Sequence, residues 1–329
     1  MKISEFNKLN IIVDKKYELI LAISSVFLSE HKEFKDELDY IEMPNISYFN
    51  ELKSIINYAS YDKLIKYILD FKDVSVSLYI ALSLNDEYEI DYNKVDINNL
   101  PYYLSKEEII NFSKLLKEYA NTIKWDEFFN NHIDFYKNLM SNFYKFPSNL
   151  DLNDIDNFYN MSGYTYNYIP SVLMNGGFAH QSLDNNLYYN KGFKYDEETK
   201  SFDYDIPYLT ECLFHEFSHS FVNPLVDKYF NLFDIDMLYD ESIDNGLPKA
   251  YQNKKTLLYE YIVRCNAYIM NLKYYEDSKI SEWILEHGFN YLGEVVNLTI
   301  DNKDKYDNYE EYFKERLIPY FNKNKEKSR

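Results

Sequence analysis

Glycine and proline are scarce along this chain, with 7 and 8 copies in 329 residues. These two residue types mark most tight turns, so a chain with so few of them favours helices over a many-stranded β fold. The hydrophobic fraction of 46% is that of a folded globular protein, and the length allows one large domain or two smaller ones. We therefore expect a mostly helical α+β fold.

Apolar residues recur three and four positions apart in many segments, which predicts helices at those places. Strands are predicted mainly after Phe146, where the texture of the sequence changes, and the apolar segment 73–84 fits either type. A lysine-rich end at 323–329 is expected to be frayed. The predicted helices are 15–29, 48–58, 61–71, 106–120, 126–143, 208–222, 236–246, 255–274, 281–287, 291–300 and 309–321, and the predicted strands are 10–13, 166–174 and 187–193, the last two as a pair.

Residues 215–219 read HEFSH and form an HExxH motif within an apolar run. On a helix, positions four apart share a face, so His215 and His219 can present both imidazoles to one ion. Glu216 then lies beside the ion, where a carboxylate can act as a base on water activated by the metal. Random placement of these residue types yields the motif in roughly one such chain per hundred. The competing interpretation is a pair of core histidines with ordinary hydrogen bonds.

The helix that carries the motif has recognisable ends. Pro207 is a favourable helix start, and Asn223 followed by Pro224 is a favourable stop, so the sequence predicts a four-turn helix over 208–222. Apolar side chains cover most of its circumference. Two histidines and two acids in so apolar a helix need polar partners, which strengthens the interpretation as a metal site.

Catalytic zinc commonly takes three protein ligands and leaves one position for water, so a third ligand is expected. Glu260 is the preferred candidate because its helical neighbours Leu257, Val263 and Ala267 are apolar, and a carboxylate on an apolar face needs a cation. That cation is either zinc, with Arg264 orienting the carboxylate, or Arg264 alone in a buried ion pair.

Other residues also carry suitable ligand atoms. Glu211 can instead pair with Arg264, or it can accept a hydrogen bond from the second ring N–H of a ligand histidine. A Cys212 ligand would close the site and make it structural. The remaining candidates for the third ligand are Glu241, His180, Glu211 and Cys212.

With one Zn²⁺ held by His215, His219 and Glu260, the expected activity is hydrolysis of a peptide or amide bond. Glu216 is expected to take a proton from water and later to return it to the leaving amine. The alternatives are a zinc-binding protein without turnover and a helical interaction protein in which the motif is coincidental.

The oxyanion of such a reaction needs a donor besides the metal. Arg264, His287 and Tyr291 are the candidates, although packing explains the last two as well. An edge strand at 168–174 is expected to pair with an extended peptide substrate.

The extended motif HEFSHSFVNP at 215–224 resembles the signature of a bacterial family of zinc metallopeptidases known as domain of unknown function 4932. Residues 13–19, VDKKYEL, resemble the N-terminal opening of the same family. The similarity extends from about Ile11 to about Leu298.

That family resembles gluzincins, so the resemblance implies a zincin-like region in which Glu260, within YEYIVR at 259–264, is the third ligand. The 40 residues between His219 and Glu260 exceed the spacing in well-known gluzincins, and the predicted helix 236–246 absorbs part of them. We predict a helical N-terminal region over 1–145 and a zincin-like catalytic region with a small sheet over 146–329, or one continuous domain.

Composition narrows the partners and the location. A net charge of −19 argues against nucleic acid, which needs clustered basic residues, and against anionic membrane surfaces. The two cysteines do not make a disulfide framework and are expected to be buried thiols. The apolar stretch 19–28 is too short to span a bilayer, and no export signal is evident, so a cytoplasmic location and a peptide or protein substrate are expected.

Overall fold

The computed structural model describes residues 1–56, 58–71, 73–100, 104–141, 146–199, 201–203 and 205–323. This part of the chain is mostly helical with a small mixed sheet, so the expected α+β class is confirmed. Within those ranges, every helix is either too short or too polar to cross a membrane. The predicted frayed end at 324–329 and the last residues of the predicted helix 126–143 lie outside the described residues.

The chain divides into two compact units that interleave along the sequence. The first comprises Met1–Lys145 and Thr165–Tyr204, and the second comprises Phe146–Tyr164 and Asp205–Arg329. The predicted division at 145/146 coincides with one of these boundaries. Residues 165–204 differ from the prediction because their strands pair with a strand near the N-terminus and so complete the sheet of the first unit.

Helices of the first unit surround one buried helix. In the described residues they are α1 (Lys15–Glu30), α2 (Ser47–Ile55), α3 (Tyr58–Asp70), α4 (Val74–Leu82), α5 (Lys106–Thr122), α6 (Trp125–Asn131) and α7 (Ile133–Ser141). Asp14 caps α1 by accepting from the backbone N–H groups of Lys16 and Tyr17. Every residue from 16 to 28 is buried, so α1 is enclosed on all sides and carries Glu18 into the core.

The first unit also holds the sheet. Its strands are β1 (Lys2–Phe6), β2 (Leu9–Ile12), β3 (Thr165–Ser171), β4 (Gly177–Gln181) and β5 (Asn186–Gly192), and a separate hairpin pairs β6 (Lys194–Asp196) with β7 (Ser201–Asp203). The strand order is β1-β2-β3-β5-β4, with β2, β3 and β5 mutually parallel and the two outer strands antiparallel.

The strand order corrects one prediction. The segment 168–174 was expected to be an edge strand that a peptide could join, but β3 lies at the centre of the sheet. Residues 166–168 of β3 pair with β2 on one side, and all of β3 pairs with β5 on the other, so β3 is an interior strand and not an edge strand. The predicted pairing of 166–174 with 187–193 is confirmed as the β3–β5 pair.

Among the described residues of the second unit, every regular element is a helix, and loops connect them. Its helices are α8 (Asn153–Tyr159), α9 (Ile206–Tyr229), α10 (Asp236–Asp244), α11 (Lys254–Leu272), α12 (Glu282–Glu286), α13 (Leu292–Asn302), α14 (Tyr309–Tyr312) and α15 (Ile318–Lys323). A π-helical turn at Phe313–Leu317 joins α14 to α15. The small sheet that was expected beside the HExxH helix therefore belongs to the other unit.

Several predicted helix bounds change. The ambiguous segment 73–84 is helix α4, which Asp73 caps by accepting from Ser75 N–H. The predicted helix 126–143 is divided at His132 into α6 and α7. The predicted stop at 223–224 is wrong, because α9 continues to Tyr229 with Pro224 inside it. Buried side chains on both sides of the proline hold the helix together across the missing hydrogen bond; they are Phe221, Val222 and Val226.

Candidate metal centre

Helix α9 begins where the sequence predicts and presents the HExxH motif. The Asp205 side chain accepts from Tyr208 N–H, and Pro207 occupies the first turn, where its missing N–H costs nothing. Its apolar face is buried through Leu213, Phe214 and Phe217. His215 and His219 lie on another face, one turn apart and partly buried.

Helix α11 packs along α9 and supplies the acid. Asn253 caps it by accepting from the backbone N–H groups of Lys255 and Thr256. Most of its residues from Leu257 to Asn271 are buried, and Glu260 is only 7% exposed. An ionised carboxylate at that depth requires a compensating positive charge.

Three ligand atoms converge between the two helices. His215 Nε2 lies 3.2 Å from His219 Nε2, and the two rings are nearly perpendicular. Glu260 Oε2 lies 3.6 Å from His215 Nε2, and Glu260 Oε1 lies 3.5 Å from His219 Nε2. The structure therefore brings His215, His219 and Glu260 together, as the sequence predicted.

These separations fit a tetrahedral ion. Zinc bonds to nitrogen and oxygen of about 2.0–2.1 Å place two tetrahedral ligand atoms about 3.3 Å apart. The 3.2 Å between the two Nε2 atoms lies close to that value, and each imidazole nitrogen has a different oxygen of Glu260 at a similar distance, 3.6 Å to Oε2 and 3.5 Å to Oε1. Two histidines and one carboxylate are also a donor set that catalytic zinc uses. The residues present therefore fit the expected metal.

Arg264 is the positive charge next to Glu260. Its Nη2 lies 2.8 Å from Glu260 Oε2 and also donates to the Tyr251 hydroxyl at 3.2 Å. The guanidinium is held over the Tyr251 and Phe289 rings, with its central carbon 5.5 and 5.0 Å from the ring centres. Both expected partners of Glu260, the histidines and the arginine, are thus present at one carboxylate.

The ion pair with Arg264 leaves one oxygen of the Glu260 carboxylate without a hydrogen bond. The Arg264 contact is close but lacks hydrogen-bond geometry, and Oε2 has no hydrogen-bond partner among the described residues although it is fully buried. Arg264 therefore compensates the charge of Oε2 without a well-directed hydrogen bond, and a cation at the trio would add to that compensation.

The electrostatics keep His215 uncharged. Burial lowers the pKa of His215 well below its ordinary value, and the neighbouring His219 and Arg264 lower it further. A neutral imidazole has the lone pair that a metal ligand needs. Burial also raises the pKa of Glu211, one turn earlier on α9, and its Oε2 accepts from Asn271 at 3.4 Å. The charge of Arg264 acts on the Glu211 carboxyl and opposes the rise of its pKa, but Glu211 is not a member of the trio.

Glu216 follows His215 directly on α9 and is partly buried. It is adjacent in the sequence to a member of the trio but is not itself one of the three grouped residues.

Asn223 was missed as a site residue. Its Oδ1 lies 3.1 Å from His219 Nδ1, the ring nitrogen that faces away from the trio. The signal was present, since Asn223 is four residues after His219, but the Asn-Pro pair was interpreted as a helix stop. Tyr251 and Phe289, which hold Arg264, had no comparable signal among 36 tyrosines and 23 phenylalanines.

The trio includes none of the remaining candidates. Tyr291 donates its hydroxyl to Glu241 at 2.7 Å, so those two residues pair with each other in the described structure. His287 ends α12 and is partly buried. His180 belongs to β4 of the first unit, where burial lowers its pKa to about 4. Cys212 is a partly buried thiol on α9, and the trio does not include it.

Comparison with protein-family models, with curated proteins and with solved structures finds no match to this chain. The resemblance of the extended HExxH segment to a zinc peptidase family stays a prediction. The interpretation of the site accordingly depends on its own geometry.

Proposed function

We propose that this protein is a zinc-dependent hydrolase that cleaves peptide or amide bonds, with a gluzincin-like centre made of His215, His219 and Glu260. The observation that carries the proposal is the convergence of two Nε2 atoms 3.2 Å apart with one buried carboxylate, whose oxygens lie 3.5 and 3.6 Å from them. An HExxH helix and a glutamate from a later helix provide the same arrangement in zincin-like enzymes, so we extend the proposal to a zincin-like catalytic region.

The number of ligands favours a catalytic over a structural centre. Structural zinc is closed by four protein ligands, whereas catalytic zinc keeps a position for water or substrate. Among the described residues, the group contains three. Cys212 would close the site, but it lies outside this group. Glu216 would also have no chemical use in a closed site.

Each residue then has a defined role. Zinc, when bound, supplies a Lewis acid that acidifies water and polarises a carbonyl group. Glu216 accepts the proton of the attacking water and returns it to the leaving nitrogen. Arg264 holds the Glu260 carboxylate at Oε2, the oxygen that also faces His215. Because Arg264 is already bound to Glu260 and Tyr251, we assign it to orientation of the ligand and not to the oxyanion.

The test is a Glu216→Gln change assayed for zinc content and for hydrolysis of a mixed peptide library. Gln keeps the size of the side chain and removes its basicity, so we expect zinc to be retained and turnover to fall roughly 10²- to 10⁴-fold. Glu282→Gln, at an exposed glutamate on α12, is the matched control and should leave both quantities unchanged.

Two outcomes would contradict the proposal. Purified wild-type protein that takes up no zinc at all would reduce the trio to a hydrogen-bonded cluster. Zinc uptake with a peptide-cleaving activity that Glu216→Gln leaves intact would place any hydrolysis elsewhere in the chain.

A further inference from the structure

The hydrogen bond between His219 Nδ1 and Asn223 Oδ1 determines which nitrogen of His219 faces the trio with a lone pair. The contact is 3.1 Å long and joins residues one helical turn apart. A neutral imidazole carries its proton on one nitrogen only. If Asn223 accepts through Oδ1, that proton is on Nδ1, and Nε2 is left as an acceptor facing His215 and Glu260.

The backbone at this point runs against its local preference. Pro224 has no N–H to donate to the carbonyl of Ser220, and its ring disfavours helical geometry at Asn223. The helix nevertheless continues through both residues to Tyr229. Only a helical Asn223 shares the face of His219, since a helix that ended at Val222 would direct this side chain elsewhere.

A second contact makes the tautomer matter. His219 Nε2 and His215 Nε2 are 3.2 Å apart, so two lone pairs facing each other would repel unless a proton or a cation lies between them. With the His219 proton held on Nδ1 by Asn223, the Nε2 atom is available to a cation. The same bond fixes the plane of the ring, which the partly buried position alone does not.

We propose that Asn223 is a positioning residue: it fixes His219 in the Nδ1–H tautomer so that Nε2 is the metal ligand. The proposal rests on the proposed function in that the ligand is taken to be zinc. It adds a residue outside the HExxH motif, and it assigns a purpose to the helical Asn-Pro pair. The opposite orientation of the amide, in which Nδ2 donates to Nδ1, would put the His219 proton on Nε2 and block coordination.

The first measurement uses the metal-free full chain. Long-range ¹H–¹⁵N correlation spectra of the imidazoles report which nitrogen of His219 is protonated. We expect the Nδ1–H form in the wild type and a mixture of tautomers in Asn223→Leu, which removes the amide at similar size. A wild-type His219 that is protonated on Nε2, or a tautomer that Asn223→Leu leaves unchanged, would overturn the proposal.

The second measurement is zinc affinity, by competition with a chromophoric chelator. Loss of a residue that orients a ligand histidine typically weakens metal binding 10- to 100-fold, and we expect that range for Asn223→Leu. Asn223→Asp keeps an acceptor at the same place and should restore wild-type affinity. Equal affinities of the wild type and Asn223→Leu would also overturn the proposal.

Two controls separate positioning from helix stability. Asn302 on α13 donates its amide to the Leu298 carbonyl, also one turn away and with no histidine involved. Asn302→Leu should therefore leave the His219 tautomer and the zinc affinity unchanged. Pro224→Ala relieves the backbone without touching the amide and should do the same. A wild type that shows the Nδ1–H tautomer but binds no zinc would sink the proposed function while leaving the role of Asn223 in place.

Discussion

Among the described residues, each unit buries one glutamate on a long helix, and the two glutamates have different surroundings. Glu18 on α1 is 2% exposed and Glu260 on α11 is 7% exposed. Glu18 accepts from the hydroxyls of Tyr48 and Ser171, each at 3.2 Å, and no charged group contributes to its described environment. Glu260 instead faces a guanidinium and two imidazole nitrogens.

The difference shows that burial of an acid does not by itself indicate a metal. Burial raises the pKa of Glu18 to about 7, so hydroxyl partners accommodate it by letting it keep its proton. The argument that a carboxylate on an apolar helix face needs a cation would have selected Glu18 as readily as Glu260. What separates them is the set of partners, and only Glu260 has nitrogen donors within reach.

The largest expected effect is the loss of zinc from Glu260→Ala. Removing one of three ligands should weaken zinc binding by more than about 100-fold, beyond the range for residues that only orient a ligand. Glu18→Ala, the matched change in the other unit, should keep one zinc per chain while losing stability, because two buried hydroxyls lose their acceptor. Equilibrium dialysis followed by elemental analysis measures both.

An equal zinc content in wild type and Glu260→Ala would break the comparison, since Glu260 would then be an ordinary buried ion pair with Arg264. Loss of zinc from Glu18→Ala under conditions where that variant is folded would also break the comparison, because Glu18 would then contribute to zinc binding.

A smaller effect is expected in the pH dependence of stability. Glu18 ionises near 4.5 in the unfolded chain but near 7 in the folded protein. As pH rises between those values, the unfolded chain releases a proton that the folded protein keeps, so the free energy of unfolding falls. The stabilising contribution of Glu18 is fully present below pH 4.5. Above pH 7 that contribution is lost, which lowers the free energy of unfolding by roughly 3 kcal/mol.

Urea unfolding at a series of pH values isolates this term when the wild type is compared with Glu18→Gln. The amide resembles the protonated acid and does not ionise, so the variant should lack the decline between about pH 4.5 and 7. Glu118→Gln, at an exposed glutamate of the same unit, is the control and should follow the wild type. Parallel wild-type and Glu18→Gln curves would show that Glu18 is ionised in the folded protein.

The smallest effect is expected at Arg264. Arg264→Met keeps the aliphatic bulk and removes the charge, which makes the surroundings of Glu260 more like those of Glu18. We expect zinc affinity to fall roughly 10- to 100-fold at neutral pH, because the carboxylate is no longer oriented before the metal binds. Competition with a chelator measures this change.

Tyr251→Phe provides the control for Arg264. It keeps the ring beneath the guanidinium and removes only the hydroxyl that Nη2 donates to, so zinc affinity should change much less. If Arg264→Met bound zinc as tightly as the wild type, the arginine would serve the metal-free protein alone.

The sequence predicted the local features of this molecule well. The helix start at Pro207 is encoded by neighbours in the chain, as is the four-residue spacing of the two histidines. Glu260 was selected by the periodicity of α11, which is also a local property. These features need no knowledge of distant contacts, and the structure confirms the convergence that they predicted.

The errors concern properties that depend on distant segments. The central position of β3 is determined by its pairing with β2, about 157 residues earlier in the chain, and no local pattern encodes that partner. The continuation of α9 past Pro224 depends on buried packing of Phe221 and Val226, which outweighs the local preference of an Asn-Pro pair. Asn223 was missed as a consequence, since its contact exists only if the helix continues.

The interleaved order of the two units constrains how the chain can be divided. The second unit includes α8, which carries Tyr159. The Tyr159 ring stacks on Phe221 of α9 with 4.6 Å between ring centres, and its hydroxyl accepts a hydrogen bond from Asn266 of α11. A fragment that began at residue 205 would lack this helix, and one that began at 146 would carry the strands β3 to β5 without their partner β2. During synthesis, the first unit cannot complete its sheet until residue 192 has been made, and the second unit cannot form around α9 and α11 until residues after 205 follow.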